Sequence, residues 1–312
     1  MNLEESEKYV LRTEKLTKIY GGHKVVNAVD MHVRKGDIYG FIGKNGAGKS
    51  TFMKMVAGLA APDEGKIELF GSTDIEKQRV RIGTLIETPG LYSGMTAAEN
   101  LEIYRRAYGI TDRNIVSKTL ELVGLGDTGR KKAGKFSMGM KQRLGIAIAL
   151  LRSPDFLILD EPINGLDPMG IHEIREFLAV LNKEKNVTMI ISSHILGELS
   201  KIATNYGIIR DGELVEEFDA EELAMRCRRC HKLVVDNVER AVNVLEETLQ
   251  IKEFDVPEQS VIRIFEHLED TARVNQCLLQ AGIEVKESYL TGQDLESYFM
   301  ELVGNGRPAG TV

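Results

Sequence analysis

The chain changes hydrophobic periodicity several times, and each change marks an element. Residues 25–33 alternate loosely between apolar and polar positions, and Lys35-Gly36-Asp37 then turns the chain into Ile38-Tyr39-Gly40-Phe41-Ile42. A short, continuous apolar run behind turn residues is the pattern of a strand buried on both faces. A glycine-rich loop follows, and the apolar spacing over 50–59 predicts a helix. Strand, glycine loop and helix in that order predict an α/β fold with its ligand at the carboxyl edge of the strands. From 99 to 151 the texture differs: helices are predicted over 100–108, 115–123 and 141–151, a mostly helical subdomain inserted in the α/β core. Apolar runs at 156–160 and 187–192 predict further strands, with a helix over 170–183 between them. Asp211-Gly212, flanked by strand-like 206–210 and 213–217, is a two-residue hairpin signal.

Beyond about residue 219 the glycines thin out. The pattern reads strand 232–235, helix 238–249, strands 251–256 and 261–265, helix 268–281, strand 284–290 and helix 294–303. Its first six elements follow the β-α-β-β-α-β order of a ferredoxin-like α+β domain.

Composition narrows the class without naming it. With 43% hydrophobic residues and three cysteines in 312 residues, the chain is not a disordered, collagen-like or disulfide-stapled protein. Forty basic against 47 acidic residues give a net charge of -7, the wrong sign for a general nucleic-acid coat, so no nucleic-acid partner is expected. The longest run without Asp, Glu, Lys or Arg is twelve residues, 186–197, against the roughly 20 that a membrane helix needs. The start, Met1-Asn2-Leu3-Glu4-Glu5-Ser6-Glu7, is acidic and lacks the apolar segment of a secretory signal. The few, odd-numbered cysteines fit a reducing compartment. A soluble intracellular chain is expected, for which any membrane role requires a separate partner.

Chemistry enters at Gly43-Lys44-Asn45-Gly46-Ala47-Gly48-Lys49-Ser50, which fits G-x-x-x-x-G-K-[ST] between a predicted strand and a predicted helix. Glycines let backbone N–H groups close on phosphate oxygens, and the helix start adds partial positive charge. Lys49 is expected at the β- and γ-phosphates and the Ser50 hydroxyl on Mg²⁺, with Thr51 completing the cradle for a nucleoside triphosphate. Phe156-Leu157-Ile158-Leu159-Asp160-Glu161-Pro162 ends an apolar run in two acids. A strand there, beside the strand that feeds the phosphate loop, would bring Asp160 to the metal and place Glu161 to polarise an attacking water as general base.

The segment Phe136-Ser137-Met138-Gly139-Met140-Lys141-Gln142-Arg143-Leu144 lies just upstream of the acidic run. It resembles a variant of the signature motif of ABC-type ATPases, with Ser137 and Gly139 keeping the core pattern. Physically, Ser137 would cap a helix starting near Met138 and so make an anion site. Asn164-Gly165-Leu166-Asp167 resembles the D-loop of that family. Ile190-Ile191-Ser192-Ser193-His194 resembles its H-loop strand, and Tyr20 matches the aromatic residue that stacks on adenine. Where the family usually carries glutamine after the strand entering the helical subdomain, this chain has Glu87. Glu87 and the signature variant resemble those of the bacitracin-resistance and lantibiotic-immunity ATPases, as does the tail that follows.

That resemblance implies an α/β P-loop cassette over 1–218, with a mixed sheet core and a helical subdomain at about 87–151, followed by an accessory domain over 219–312. It implies Mg²⁺ held by Ser50 and Asp160, with Glu87 as a further metal ligand and reporter of nucleotide state. It implies hydrolysis assisted by Lys49, Glu161 and His194. Two copies of the chain would pair head to tail, each ATP lying between the phosphate loop of one and Ser137, Gly139 and Asp167 of the other. The expected function is the ATPase subunit of an exporter, at the cytoplasmic face of the membrane on a separately encoded permease, with an antimicrobial peptide or bacitracin-like compound as cargo. A ribosome-acting ATPase of the same fold is the alternative, although such chains usually carry two cassettes and this one has a single P-loop. An unrelated P-loop kinase or GTPase is disfavoured: Asp167-Pro168-Met169-Gly170 matches D-x-x-G, but no Asn-Lys-x-Asp follows. Cys227-Arg228-Arg229-Cys230-His231 matches C-x-x-C-H, yet it reads most simply as a basic hinge ahead of the tail. The basic stretch 130–143 reads as a solvated face beside the signature helix.

Overall fold

Two sheets share one core with the helix that follows the glycine loop. The computed structural model describes residues 8–194, 196–292 and 298–299, which form two compact units, one ending at Ala220 and one beginning at Glu221.

In the first unit an antiparallel sheet is built on β1 (Tyr9–Tyr20), which pairs with β2 (His23–Val29), β3 (His32–Arg34) and β5 (Glu64–Leu69). The second sheet runs β10-β9-β4-β8-β7-β6. Its members are β4 (Ile38–Ile42), β6 (Ile82–Leu85), β7 (Phe156–Asp160), β8 (Thr188–Ser193), β9 (Asn205–Arg210) and β10 (Glu213–Asp219). All its pairings are parallel except the β9–β10 hairpin. Every residue of β4, β7 and β8 is buried, as continuous apolar runs demand of central parallel strands. Helix α1 (Lys49–Ala57) sinks Phe52, Met53, Met55 and Val56 fully into the core that both sheets line, each such burial being favourable by about 1.5–3 kcal/mol.

The one-turn helix α2 (Ile75–Gln78) leads towards β6. Helices α3 (Ala97–Ala107), α4 (Asn114–Leu122) and α5 (Met138–Leu150) pack on one another between β6 and β7. Helix α5 also lies hard against β6, where a β-carbon on Gly83 would stand 2.3 Å from the Ala149 carbonyl oxygen. Helices α6 (Pro168–Lys185) and α7 (Leu196–Leu199) flank β8 in sequence.

The second unit runs α8 (Ala220–Cys227), β11 (Cys230–Val235), α9 (Val238–Asn243), β12 (Phe254–Glu258), β13 (Val261–Ile264), α10 (Thr271–Gln280) and β14 (Val285–Thr291). Its antiparallel sheet has the order β12-β13-β11-β14. Leu233, Ile262 and Ile264 meet Ala241, Leu245, Val274 and Leu278 in a core of their own.

Several elements differ from the sequence reading, each for a local reason. The loosely alternating stretch 25–33 falls in two short strands, β2 and β3. Strand β1 was hidden because its burial alternation slips around Glu14 and Lys15, where Lys15 takes φ 48°. In β5 three of six residues are charged and two are buried. Helix α3 starts three residues earlier than its apolar spacing shows, because Thr96 and Glu99 close a reciprocal capping box. The strand expected from 251 starts at Phe254: a π-helical turn, Val244–Thr248, continues α9, Gln250 turns the chain at φ 55°, and the Ile251 N–H closes on the Leu245 carbonyl of that turn instead of opening a strand. Cys230 and His231, read as part of a hinge, are buried residues of β11. Most of the helix expected over 294–303 lies outside the described residues.

Candidate active site

Residues 43–48 join β4 to α1, and Lys49 and Ser50 open that helix. Gly48 has φ 105°, and a β-carbon there would stand 2.5 Å from the Val25 carbonyl oxygen, so conformation and space both require glycine. As the cap of α1 it offers no side chain to the first-turn N–H groups, which leaves the positive end of the helix directed at the loop. Lys49 is buried. Its Nζ donates to the carbonyls of Gly43 at 2.6 Å and Lys44 at 3.1 Å, and lies 4.0 Å from Glu161 Oε1. Burial pulls the Lys49 ammonium below its ordinary pKa, while the Glu161 and Asp160 carboxylates push it back up.

The acidic strand β7 is not beside β4, as the sequence reading supposed: β8 lies between them. That interposition creates a contact sequence reasoning missed. Ser192 of β8 is the register partner of Asp160. Its hydroxyl donates to Asp160 Oδ1 at 2.6 Å and accepts the Glu161 N–H at 2.9 Å, so one buried side chain positions both acids. Glu161 takes φ 50°, a conformation uncommon for a non-glycine residue. Its Oε2 lies 2.7 Å from His194 Nδ1, and its Oε1 is buried without a hydrogen-bond partner. Gln142 of α5 reaches the Glu161 carbonyl at 3.4 Å.

A cavity of about 450 Å³ gathers most of these groups. Asn45, Gly46, Gly48, Lys49, Ser50, Thr51, Glu87, Asp160 and Glu161 line it, together with Val25, Met138, Gln142 and Asn164. Lys44 and Ala47 face a smaller cavity of about 220 Å³ beside the 209–211 turn.

Tyr20, Ser137, Gly139 and Asp167 are not among the residues that line this cavity, whereas Glu87 is. Tyr20 is half exposed at the end of β1, with Lys18 Nζ 5.2 Å from its ring centre. Ser137 caps α5, its Oγ accepting from the Met140 N–H at 3.3 Å, and Gly139 sits in that first turn. Asp167 caps α6 by accepting from the Gly170 N–H at 2.9 Å. Glu87 has φ 62° and its carboxylate is ion-paired with Lys54 of α1.

The donor set suits magnesium. A hydroxyl at the helix start (Ser50) and a buried carboxylate already oriented by a serine (Asp160) are hard oxygen ligands of the kind Mg²⁺ takes through one or two carboxylates plus phosphate and water. Among the described residues there is no cluster of three or more His, Cys, Asp or Glu side chains that would form an all-protein metal cage.

A family model described as ABC transporter matches residues 26–164, from β2 through the phosphate loop and helical subdomain to Asn164. The chain is 42% identical over 300 residues to the bacitracin transport ATP-binding protein BcrA of Bacillus licheniformis, covering 95% of this chain and 98% of that protein. The chain belongs to the ABC transporter family. This ABC cassette is also 42% identical over 215 residues to the lantibiotic transport ATP-binding protein SrtF of Streptococcus pyogenes, covering 68% of this chain and 93% of that one. Among solved structures, cbiO1 from Clostridium perfringens, part of the ABC transporter complex cbiONQ, matches with a TM-score of 0.63 at 27% identity. That match covers 78% of this chain and 98% of cbiO1. The dimeric post-hydrolysis cassette MJ0796 bound to ADP and Pi has the same fold at a TM-score of 0.62 and 24% identity, covering 67% of this chain and 98% of its own. This cassette is an ATP-binding protein and an ATPase. Among its described residues no helix is long and apolar enough to cross a membrane.

Proposed function

We propose that this cassette hydrolyses ATP to drive a separate membrane permease at the cytoplasmic face, exporting a bacitracin-like or lantibiotic-type antimicrobial peptide. Two of the relatives that cover nearly its full length are named for bacitracin transport, and a relative of its first unit is named for lantibiotic transport. The absence of a spanning helix among the described residues is consistent with a partner chain supplying the membrane passage.

The observation that carries the chemistry is the setting of Glu161. One carboxylate oxygen is held by His194, while the other is buried without a hydrogen bond and pairs only with the Lys49 ammonium 4.0 Å away. A carboxylate of a cavity-lining residue that still has hydrogen-bonding capacity is suited to take a proton from water as the water attacks the γ-phosphate. Lys49 and the N–H groups of the phosphate loop stabilise charge on the transferring phosphoryl group. Ser50 and Asp160 would hold Mg²⁺, which when bound neutralises charge on the phosphates, and Glu87 lines the same space. His194 steers Glu161 through Nδ1, leaving Nε2 to reach towards phosphate. In this reading Ser137, Gly139 and Asp167 lie off their own chain's cavity because they serve the nucleotide of a second copy, and Tyr20 stacks on adenine.

The test is Glu161→Gln. It should lower turnover at least about 100-fold while ATP binding stays within about twofold. Cells carrying this variant beside the intact permease should lose protection against bacitracin or a lantibiotic. Wild-type turnover in the variant would overturn the general-base role. Unchanged protection against both compounds would overturn the cargo assignment.

A further inference from the structure

The cavity proposed to receive the triphosphate carries more acid than base. Asp160, Glu161 and Glu87 all line it, against the single ammonium of Lys49. Two of these carboxylates are accounted for by the chemistry proposed above, but the third sits on the entry to the helical subdomain and would add a negative charge facing phosphate. Lys54 meets this third carboxylate directly, as the ion pair between its Nζ and Glu87 Oε1. Lys54 lies one helical turn beyond Ser50 on α1, and it is not among the residues that line the cavity. Side chains four apart share a helix face, so the turn that begins at the phosphate loop carries the counter-ion for Glu87 along the same side.

We propose that Lys54 is a positioning residue for nucleotide binding. It acts through Glu87, neutralising that carboxylate and holding it against α1 so that the pair presents almost no net charge to the incoming phosphates. The inference rests on the ATPase reading above. The positive φ of Glu87, 62°, turns the backbone sharply where the loop leaves β6, and the ion pair anchors that turn to α1. The pair is partly exposed, with side-chain exposures of 32% for Lys54 and 61% for Glu87. Exposed pairs add little to fold stability, so its effect should be seen in ligand binding rather than in folding. An uncompensated carboxylate near a polyanion raises the free energy of the bound state through Coulomb repulsion, and the rise grows with ligand charge.

The experiment is a double-mutant cycle on the full-length protein, read as equilibrium binding of ATP and ADP in EDTA, with Lys54→Met preserving the aliphatic stem. Lys54→Met alone should weaken ATP binding about tenfold and ADP binding by less. Introduced into Glu87→Gln, the same lysine change should alter ATP binding by less than about twofold, and Lys54→Arg should keep wild-type affinity. An equal loss in both backgrounds would overturn the proposal, since Lys54 would then act on nucleotide or structure without Glu87. No loss when Lys54→Met is made in the otherwise wild-type protein would overturn it too. Urea midpoints for the single variants within experimental error of wild type exclude misfolding as the cause. Absence of ATP binding by the wild-type protein would instead strike at the ATPase reading itself.

Discussion

Ser192 shows how much of this site depends on a residue with no chemistry of its own. Its hydroxyl spans Asp160 Oδ1 and the Glu161 N–H, so it fixes the two acids of β7 relative to each other from the neighbouring strand. Replacing it by alanine leaves the Asp160 oxygen and the Glu161 amide short of a partner in a buried setting, where an unmade hydrogen bond costs about 1–3 kcal/mol. Ser192→Ala should therefore lower kcat about tenfold or more through misorientation of Glu161, with KM for ATP changed by less than about threefold. A change confined to KM would show that the serine serves binding instead. Glu161 and Glu87 both carry positive φ, a costly conformation that clusters at functional sites because surrounding contacts hold it there. Ser192 and His194 brace the first and Lys54 the second.

At the level of elements, four helix starts meet different needs. Helix α1 leaves its first N–H groups without a side-chain cap, as a phosphate site requires, whereas α5 and α6 are closed by Ser137 and Asp167. Helix α3 has the fullest closure: the Thr96 hydroxyl accepts from the Glu99 N–H at 3.2 Å while the Glu99 carboxylate accepts from the Thr96 N–H at 2.7 Å. That second bond, with Lys132 beside it, holds the Glu99 carboxyl below the usual carboxylate range. Thr96→Ala should lower stability by about 1 kcal/mol, measured as a shift in the urea midpoint of the cassette, without changing the ATPase rate per folded molecule. A stability equal to wild type would mean that water replaces the cap. The capping signature Thr96-Ala97-Ala98-Glu99 stands openly in the sequence. The helix boundary was nevertheless read too late because apolar spacing alone begins at Leu101.

At the scale of the whole molecule, one buried histidine makes the stability of the second unit sensitive to acid. His231 is buried in β11, with Nε2 2.8 Å from Ser288 Oγ on β14 and Nδ1 buried without a partner. Burial lowers its pKa below the ordinary value of 6.5. The unfolded chain therefore takes up this proton at a higher pH than the folded unit does. Stability from the neutral ring is fully present above about pH 6.5 and is lost as pH falls from there towards the lower folded value. Amide hydrogen exchange in the full-length protein, corrected for intrinsic rates, should show protection of β11 and β14 falling between pH 7.5 and 5.5. His231→Gln should flatten that fall. Protection that is independent of pH in the wild type would refute the assignment.

Local pattern along the chain was enough for the phosphate loop, from its glycines, for β7, from five consecutive apolar or acidic positions, and for the β9–β10 turn, from Asp211-Gly212. These features depend on neighbours along the chain, so no fold is needed to see them. The family resemblance extended that reading to Tyr20, Ser137, Asp167 and His194 because their motifs keep a recognisable order. Tertiary structure alone decided which strands touch. It put β8 between the phosphate-loop strand and the acidic strand, made Ser192 the bridge between Asp160 and Glu161, and set Lys54 against Glu87. It also buried His231 in a sheet where the sequence suggested a hinge. Strand order and parallel register arise from packing between segments far apart in sequence, and one chain's hydrophobic pattern states which face is buried but not what it is buried against.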